Sequence, residues 1–103
     1  MNSGKIKYLL FVILLASYSV VCSQQKFVNK GDKDLNNLQY QSAVENYLKA
    51  LKKIKDDSPD KDKLIFKIAN SYRLMNNPIK SAKWYKQLVD TEFTRENPYI
   101  NLY

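Results

Sequence analysis

Apolar positions in the second half of this chain recur at helical spacing. Ile65, Ile68, Ala69 and Tyr72 fall three, one and three residues apart, which sets them on one face of an α-helix. After Asn76-Asn77-Pro78, the residues Ser81, Tyr85 and Leu88 share one face of a second helix. The same order occurs earlier: Phe27 and Gly31 lie four apart, the polar pair Asn36-Asn37 marks a turn, and Ala43, Tyr47 and Ala50 follow. The copies align Phe27 with Ile65, Gly31 with Ala69, Ala43 with Ser81, Tyr47 with Tyr85 and Ala50 with Leu88, always at an offset of 38. An echo with a period in the thirties is the signature of a helical repeat, in which each hairpin buries its apolar face only by stacking on a neighbour. The prediction is an all-α fold, an antiparallel helix-hairpin solenoid with two repeats and the start of a third.

Helix boundaries support this division. Ser58-Pro59, Asn77-Pro78 and Asn97-Pro98 each place a side-chain acceptor before a proline. Ser and Asn can accept from the first free backbone N–H groups, and proline lacks the N–H that would be left over. Helices are expected at 25–36, 40–55, 60–75 and 78–90, with a fifth opening near Pro98. The units are then 24–59, 60–97 and 98–103, the last being the start of a third repeat. Tyr99, Ile100, Leu102 and Tyr103 supply its apolar residues, and the natural protein is expected to continue beyond them.

The first 23 residues read as a separate element. Lys5 and Lys7 precede an uncharged run from Tyr8 to Gln25, apolar through most of Leu9 to Val21. A basic start followed by a short apolar stretch describes a secretory signal peptide, with its best cleavage point after Ser23. Retention as a membrane anchor is the alternative. Lipidation of Cys22 is another, although Val21 stands where a lipidation motif wants a small residue. Cys22 is the one cysteine, so the mature part carries neither disulfide nor thiol chemistry.

Composition narrows the chemistry. Lys5 and Lys7 apart, the remaining 15 of the 17 basic residues and all 10 acidic ones follow Ser23, a net charge of +5. Lysines gather at Lys49, Lys52, Lys53 and Lys55 and acids at Asp56, Asp57, Asp60 and Asp62, a mixture that suits a solvated helical surface. With no histidine, the commonest general base and most zinc sites are excluded. The aspartate run lacks the glycine and the distal glutamate of a calcium-binding loop. Gly4 and Gly31 are the only glycines, so no phosphate-cradling loop exists. No catalytic, cofactor or metal site is predicted, and the chain is not expected to be an enzyme. Tyrosines and Trp84 beside lysines could stack on bases, but they occupy predicted packing positions, and no nucleic-acid partner is expected.

Gly31, Ala43, Tyr47 and Ala50, and again Ala69, Tyr72, Ser81 and Tyr85, resemble the tetratricopeptide repeat. That family sets small residues where two antiparallel helices approach closely, with an aromatic filling the wedge beside them. Lys30 and Asp34 depart from the family pattern, since apolar residues are preferred there, and Leu88 replaces a small residue. The period of 38 exceeds the family's usual 34 by about one helical turn, which fits within Ile54 to Asp60. The resemblance implies a concave groove lined by the first helix of each repeat. Its positions fall on Val28, Asp32, Leu35 and Asn36 in the earlier copy, and on Lys63, Phe66, Asn70 and Arg73 in the later one. Phe66 with Arg73, and Lys63 with Asn70, lie seven apart and share a face. Asp32, Asn36, Lys63, Phe66, Asn70 and Arg73 are therefore the candidate peptide-binding residues, suited to an extended peptide bearing a carboxylate.

The whole succession also resembles the amino-terminal repeat region of OmpA-like envelope proteins from gliding bacteria, some of them associated with type IX secretion. It runs from the export signal through Tyr-Gln-Ser-Ala-Val-Glu-Asn-Tyr and Phe-Lys-Ile-Ala-Asn-Ser-Tyr-Arg to Ala-Lys-Trp-Tyr-Lys-Gln-Leu-Val. This resemblance implies an exported protein-interaction scaffold, periplasmic or outer-membrane associated, with a protein or peptide partner. Membrane association would come through an uncleaved signal, Cys22 lipidation or further domains. The rival expectation is a structural envelope component whose functional domains lie outside this chain.

Overall fold

The computed structural model describes residues 3–89 and 91–98, and among them the chain is helical with no strand. Helix α1 spans Ser3–Asn36, α2 Tyr40–Leu51, α3 Asp60–Leu74, α4 Pro78–Lys86 and α5 Glu92–Glu96. α1 packs on α2, α2 on α3 and α3 on α4, the consecutive stacking of a helical-repeat arrangement. The molecule is elongated, 62 × 31 × 17 Å. The cause is α1, whose 34 residues extend about 51 Å at 1.5 Å per residue.

The two hairpins are the same object in backbone terms. Leu38 (φ 62°) and Asn76 (φ 60°) are the described non-glycine residues with left-handed backbone, and they lie 38 apart. After each, the chain bonds back to the helix it has left, Gln39 N to Asp34 O at 2.8 Å and Asn77 N to Tyr72 O at 3.0 Å. These bonds satisfy carbonyls that a helix end leaves bare. The next helix then opens alike, with Ala43 N on Gln39 O and Ser81 N on Asn77 O, both at 3.0 Å. The period seen in apolar positions is thus repeated in hydrogen bonding, at turns whose sequences differ.

Packing follows the aligned positions. One core cluster joins α2 and α3 through Ala43, Val44, Tyr47, Ala50, Leu64, Ile68 and Tyr72, with Phe27, Val28 and Leu35 of α1 against it. The other joins α3 to α4 and the turns after it through Ile65, Ala69, Tyr85 and Leu88. Each large apolar side chain so buried contributes about 1.5–3 kcal/mol. Gly31 is buried where α1 meets the Tyr47 ring, and a Cβ built there would lie 2.4 Å from Tyr47 Cε1. At the matching contact, Ser81 Oγ donates to Ala69 O at 3.0 Å. The departures Lys30 and Asp34 have partners of their own. The Lys30 ammonium lies 6.0 Å from the Phe27 ring, and Asp34 Oδ2 accepts from Ser42 Oγ at 2.7 Å and Asn46 Nδ2 at 2.8 Å. A half-buried carboxylate is tolerated there because donors from α2 meet it.

Several boundaries differ from expectation. The helix expected at 25–36 is the end of a longer one that starts at Ser3. The helix expected to reach 55 stops at Leu51, where Lys53 N bonds to Ala50 O and Ile54 N to Leu51 O. The extra residues of the longer period therefore sit in a non-helical link before α3. The helix expected to reach 90 stops at Lys86, and i→i+3 bonds from Gln87, Leu88 and Val89 tighten its end while keeping Leu88 fully buried.

The proline signals divide. Ser58 Oγ accepts from Asp60 N at 3.3 Å, and Asn77 Oδ1 accepts from Lys80 N at 3.2 Å, so both sit at helix starts. Asn97 instead closes α5, donating from Nδ2 to Phe93 O at 2.9 Å. Thr91 opens that short helix by accepting from Thr94 N at 3.2 Å. Tyr99, Ile100, Leu102 and Tyr103 lie outside the described residues. Ile6 and Leu9 to Ile13 project from α1 more than half exposed. Among the described residues no helix is long and apolar enough to cross a membrane, and the side chains of 14–21 are not among those described.

Candidate functional site

A cleft of about 250 Å³ opens between α1 and α3, in front of the link that follows α2. Its apolar lining comes from Val28, Ile54 and Leu64, and its polar lining includes Asp32, Lys63 and Lys67, with Gln24, Gln25 and Asp60 at the rim. The cleft exists because the first core cluster pins both helices to α2 while their facing surfaces carry long side chains. An amphipathic lining with cations and amides can receive an apolar side chain together with a carboxylate.

Asp32 is the electrostatic centre of this region. Its Oδ1 accepts from the Tyr47 hydroxyl at 2.5 Å and from Lys67 Nζ at 2.8 Å, so one carboxylate ties together α1, α2 and α3. The Lys67 ammonium also lies 5.8 Å from the Tyr47 ring. The Tyr47 phenol is held above its ordinary range, first by burial, then by its hydrogen bond to Asp32 and by the negative charges of Asp32 and Asp34. Both partners of the Asp32–Lys67 pair remain more than a third exposed, so its contribution to stability is small, about 0–1 kcal/mol. Lys67 is neutralised by Asp32, whereas Lys63 is exposed and has no ion-pair partner among the described residues. Lys63 is therefore the cation the cleft presents to an incoming anion.

The six candidate residues divide into groups. Asp32 and Lys63 line the cleft together. Asn36 lies exposed at the end of α1, away from them. Phe66 turns toward the far side of α3, with its ring centroid 5.9 Å from those of both Tyr85 and Phe93. Asn70 and Arg73 lie together, Arg73 Nη2 donating to Asn70 Oδ1 at 2.6 Å. Of the other two groove positions, Val28 lines the cleft, and both Val28 and Leu35 pack on the first core cluster.

Leu64, Lys67, Ile54, Gln24 and Gln25 were not among the candidates. Lys67 stands four residues after Lys63, so helical spacing alone could have paired them. Ile54 was hidden by the expectation that α2 runs to 55. Asp56, of the aspartate run, pairs with Lys61 at 3.0 Å. Among the described residues no group of three metal-ligating side chains comes together.

No protein-family model matches this chain, and neither a curated protein nor a solved structure is significantly similar to it.

Proposed function

We propose that this chain is an exported, tetratricopeptide-like protein-interaction scaffold of the cell envelope. In this reading the α1/α3 cleft holds an extended segment of a protein partner. The observation that carries it is the pair of hairpins repeated at 38 residues, in side chains and in turn hydrogen bonds alike, with the cleft between their first helices. Stacked hairpins of this kind present the first helix of each unit to a ligand. Val28, Ile54 and Leu64 would take an apolar side chain, and Lys63 a carboxylate. Asn70, seven residues after Lys63 on the same face, would extend the contact along α3. Export rests on the basic, then apolar amino-terminal segment, with Gln24 as the first mature residue.

Partner capture from envelope extracts tests this with Lys63→Ala and Arg73→Ala variants of unchanged helicity. Losing one partner of a buried charge pair commonly costs about 2–5 kcal/mol and a rim charge far less. Reduced capture by Lys63→Ala is expected. Undiminished capture by both variants returns these residues to the solvated surface. Mass spectrometry of the purified protein reads export separately: Gln24 first supports cleavage, a lipid on Cys22 makes it a lipoprotein, and an intact Met1 makes it an anchor.

A further inference from the structure

The acids and bases near the start of the packed domain are mixed in sequence but sorted in space. Asp32 and Asp34 turn toward donors, the first to Tyr47 and Lys67, the second to Ser42 and Asn46. The lysines interleaved with them stay outside. Lys26, Lys30 and Lys33 follow one another at helical spacing on α1, and all three border an open depression on its outer side. Lys30, Lys49 and Lys53 converge on one ring, their ammonium groups 6.0, 5.7 and 6.0 Å from the Phe27 centroid. None of these lysines has a carboxylate within ion-pair distance among the described residues. Like charges so close together repel, and the ring's negative face compensates only in part. An anionic surface would relieve that repulsion.

The position of the patch says which anion. α1 is unbroken from the exposed apolar residues of its first turns to the lysines. At about 1.5 Å per residue, Lys26, Lys30 and Lys33 stand about 8, 14 and 18 Å beyond Val21 along the axis. Headgroups extend about 5–8 Å past the hydrocarbon, and charge is felt about 10 Å further at moderate salt. While the apolar segment sits in the bilayer, before cleavage or as a retained anchor, the lysines lie at or just outside the headgroups. They follow Ser23, so they also stay with the domain if the segment is removed.

We propose that Lys30, Lys49 and Lys53 around Phe27, continued by Lys26 and Lys33, form a binding surface for anionic phospholipid headgroups. The phosphodiester is the group recognised, and the surface holds the domain against the membrane with the α1/α3 cleft left open. This surface does not depend on what the cleft binds.

Flotation of the full chain carrying Lys5→Gln and Lys7→Gln tests it, since those two lysines would themselves favour anionic vesicles. Vesicles of phosphatidylcholine alone are compared with vesicles containing about one-third phosphatidylglycerol, because the apolar segment, freed of its lysines, would bind both equally. Each lysine close to an anionic surface contributes about fivefold in partitioning. The full chain is expected to prefer the anionic vesicles by at least tenfold, and high salt is expected to abolish that preference. A Lys30→Gln/Lys49→Gln/Lys53→Gln variant should lose it, while a Lys80→Gln/Lys83→Gln/Lys86→Gln variant of equal charge keeps it. Equal binding to both vesicle types overturns the proposal, as does a preference that survives in the first variant or falls equally in both. Preferential capture of a single-stranded RNA oligonucleotide that anionic vesicles cannot displace would also overturn it. The comparison in the Lys5→Gln/Lys7→Gln chain and its salt dependence need no change within the packed helices.

Discussion

Replacing Gly31 by alanine probes the closest approach in the fold. The added Cβ would meet Tyr47 Cε1 at 2.4 Å, Cδ1 at 2.6 Å and Cζ at 2.9 Å, all inside van der Waals contact. The ring cannot swing aside freely, because it is fully buried and its hydroxyl is held by Asp32 at 2.5 Å. Overpacking of this kind costs about 1–3 kcal/mol. If the ring yields, the bond to the carboxylate goes with it, a loss of about 1.5–3 kcal/mol. Against this, alanine gains about 1 kcal/mol over glycine in a helix interior. The net expectation is a destabilisation of up to about 2 kcal/mol. Urea denaturation followed by far-ultraviolet ellipticity measures it, as a lower midpoint with an unchanged slope. In a Tyr47→Ala background the same change should become stabilising, because only the propensity gain remains. A Gly31→Ala protein more stable than its parent by about 1 kcal/mol would show only the propensity gain and remove Gly31 from the interface.

Leu38 has left-handed backbone and is 72% exposed, so it carries strain without burial to offset it. Leu38→Asn should stabilise the chain by about 0.5–1 kcal/mol in the same denaturation assay, since asparagine tolerates that conformation and already occupies position 76. Tyr47 predicts a pH dependence. Its folded pKa is raised, so the folded state keeps the phenol proton after the unfolded chain has released it. Its contribution is full below pH about 10 and falls above it, by up to about 1.4 kcal/mol per pH unit. Tyr47→Phe should flatten that alkaline loss, and an identical pH profile for the two proteins would contradict the assignment.

Fold class was legible because small and apolar residues recur at one offset. Gly31, Ala43, Tyr47, Ala50, Ala69, Ser81, Tyr85 and Leu88 are all buried. The turns were less legible. Leu38 and Asn76 do the same job with different side chains, and the job is set by backbone geometry that composition does not encode. Helix ends were read too long at Leu51 and Lys86, because apolar periodicity carries on through i→i+3 turns that still bury Leu88. α5 escaped notice since Asn97-Pro98 reads as a helix start, whereas Asn97 bonds backward to Phe93. The candidate site was half legible. The repeat resemblance implies groove positions at Asp32 and Lys63, which do line one cleft, but the rotation of α3 that turns Phe66 toward Tyr85 and Phe93 depends on α4 and α5. The tie from Asp32 to Tyr47 and Lys67 spans three helices and has no local signature.

The most direct measurement is whether a partner lies in the α1/α3 cleft. A photo-crosslinking amino acid placed at position 60, at the rim of the cleft, and separately at position 83, on α4, reads this in intact cells while leaving Lys63 in place. A discrete crosslinked protein is expected from position 60, absent from position 83 and reduced by Lys63→Ala. Equal crosslinking from both positions, or none from position 60 in a folded, exported protein, would show that the cleft is not where the partner binds.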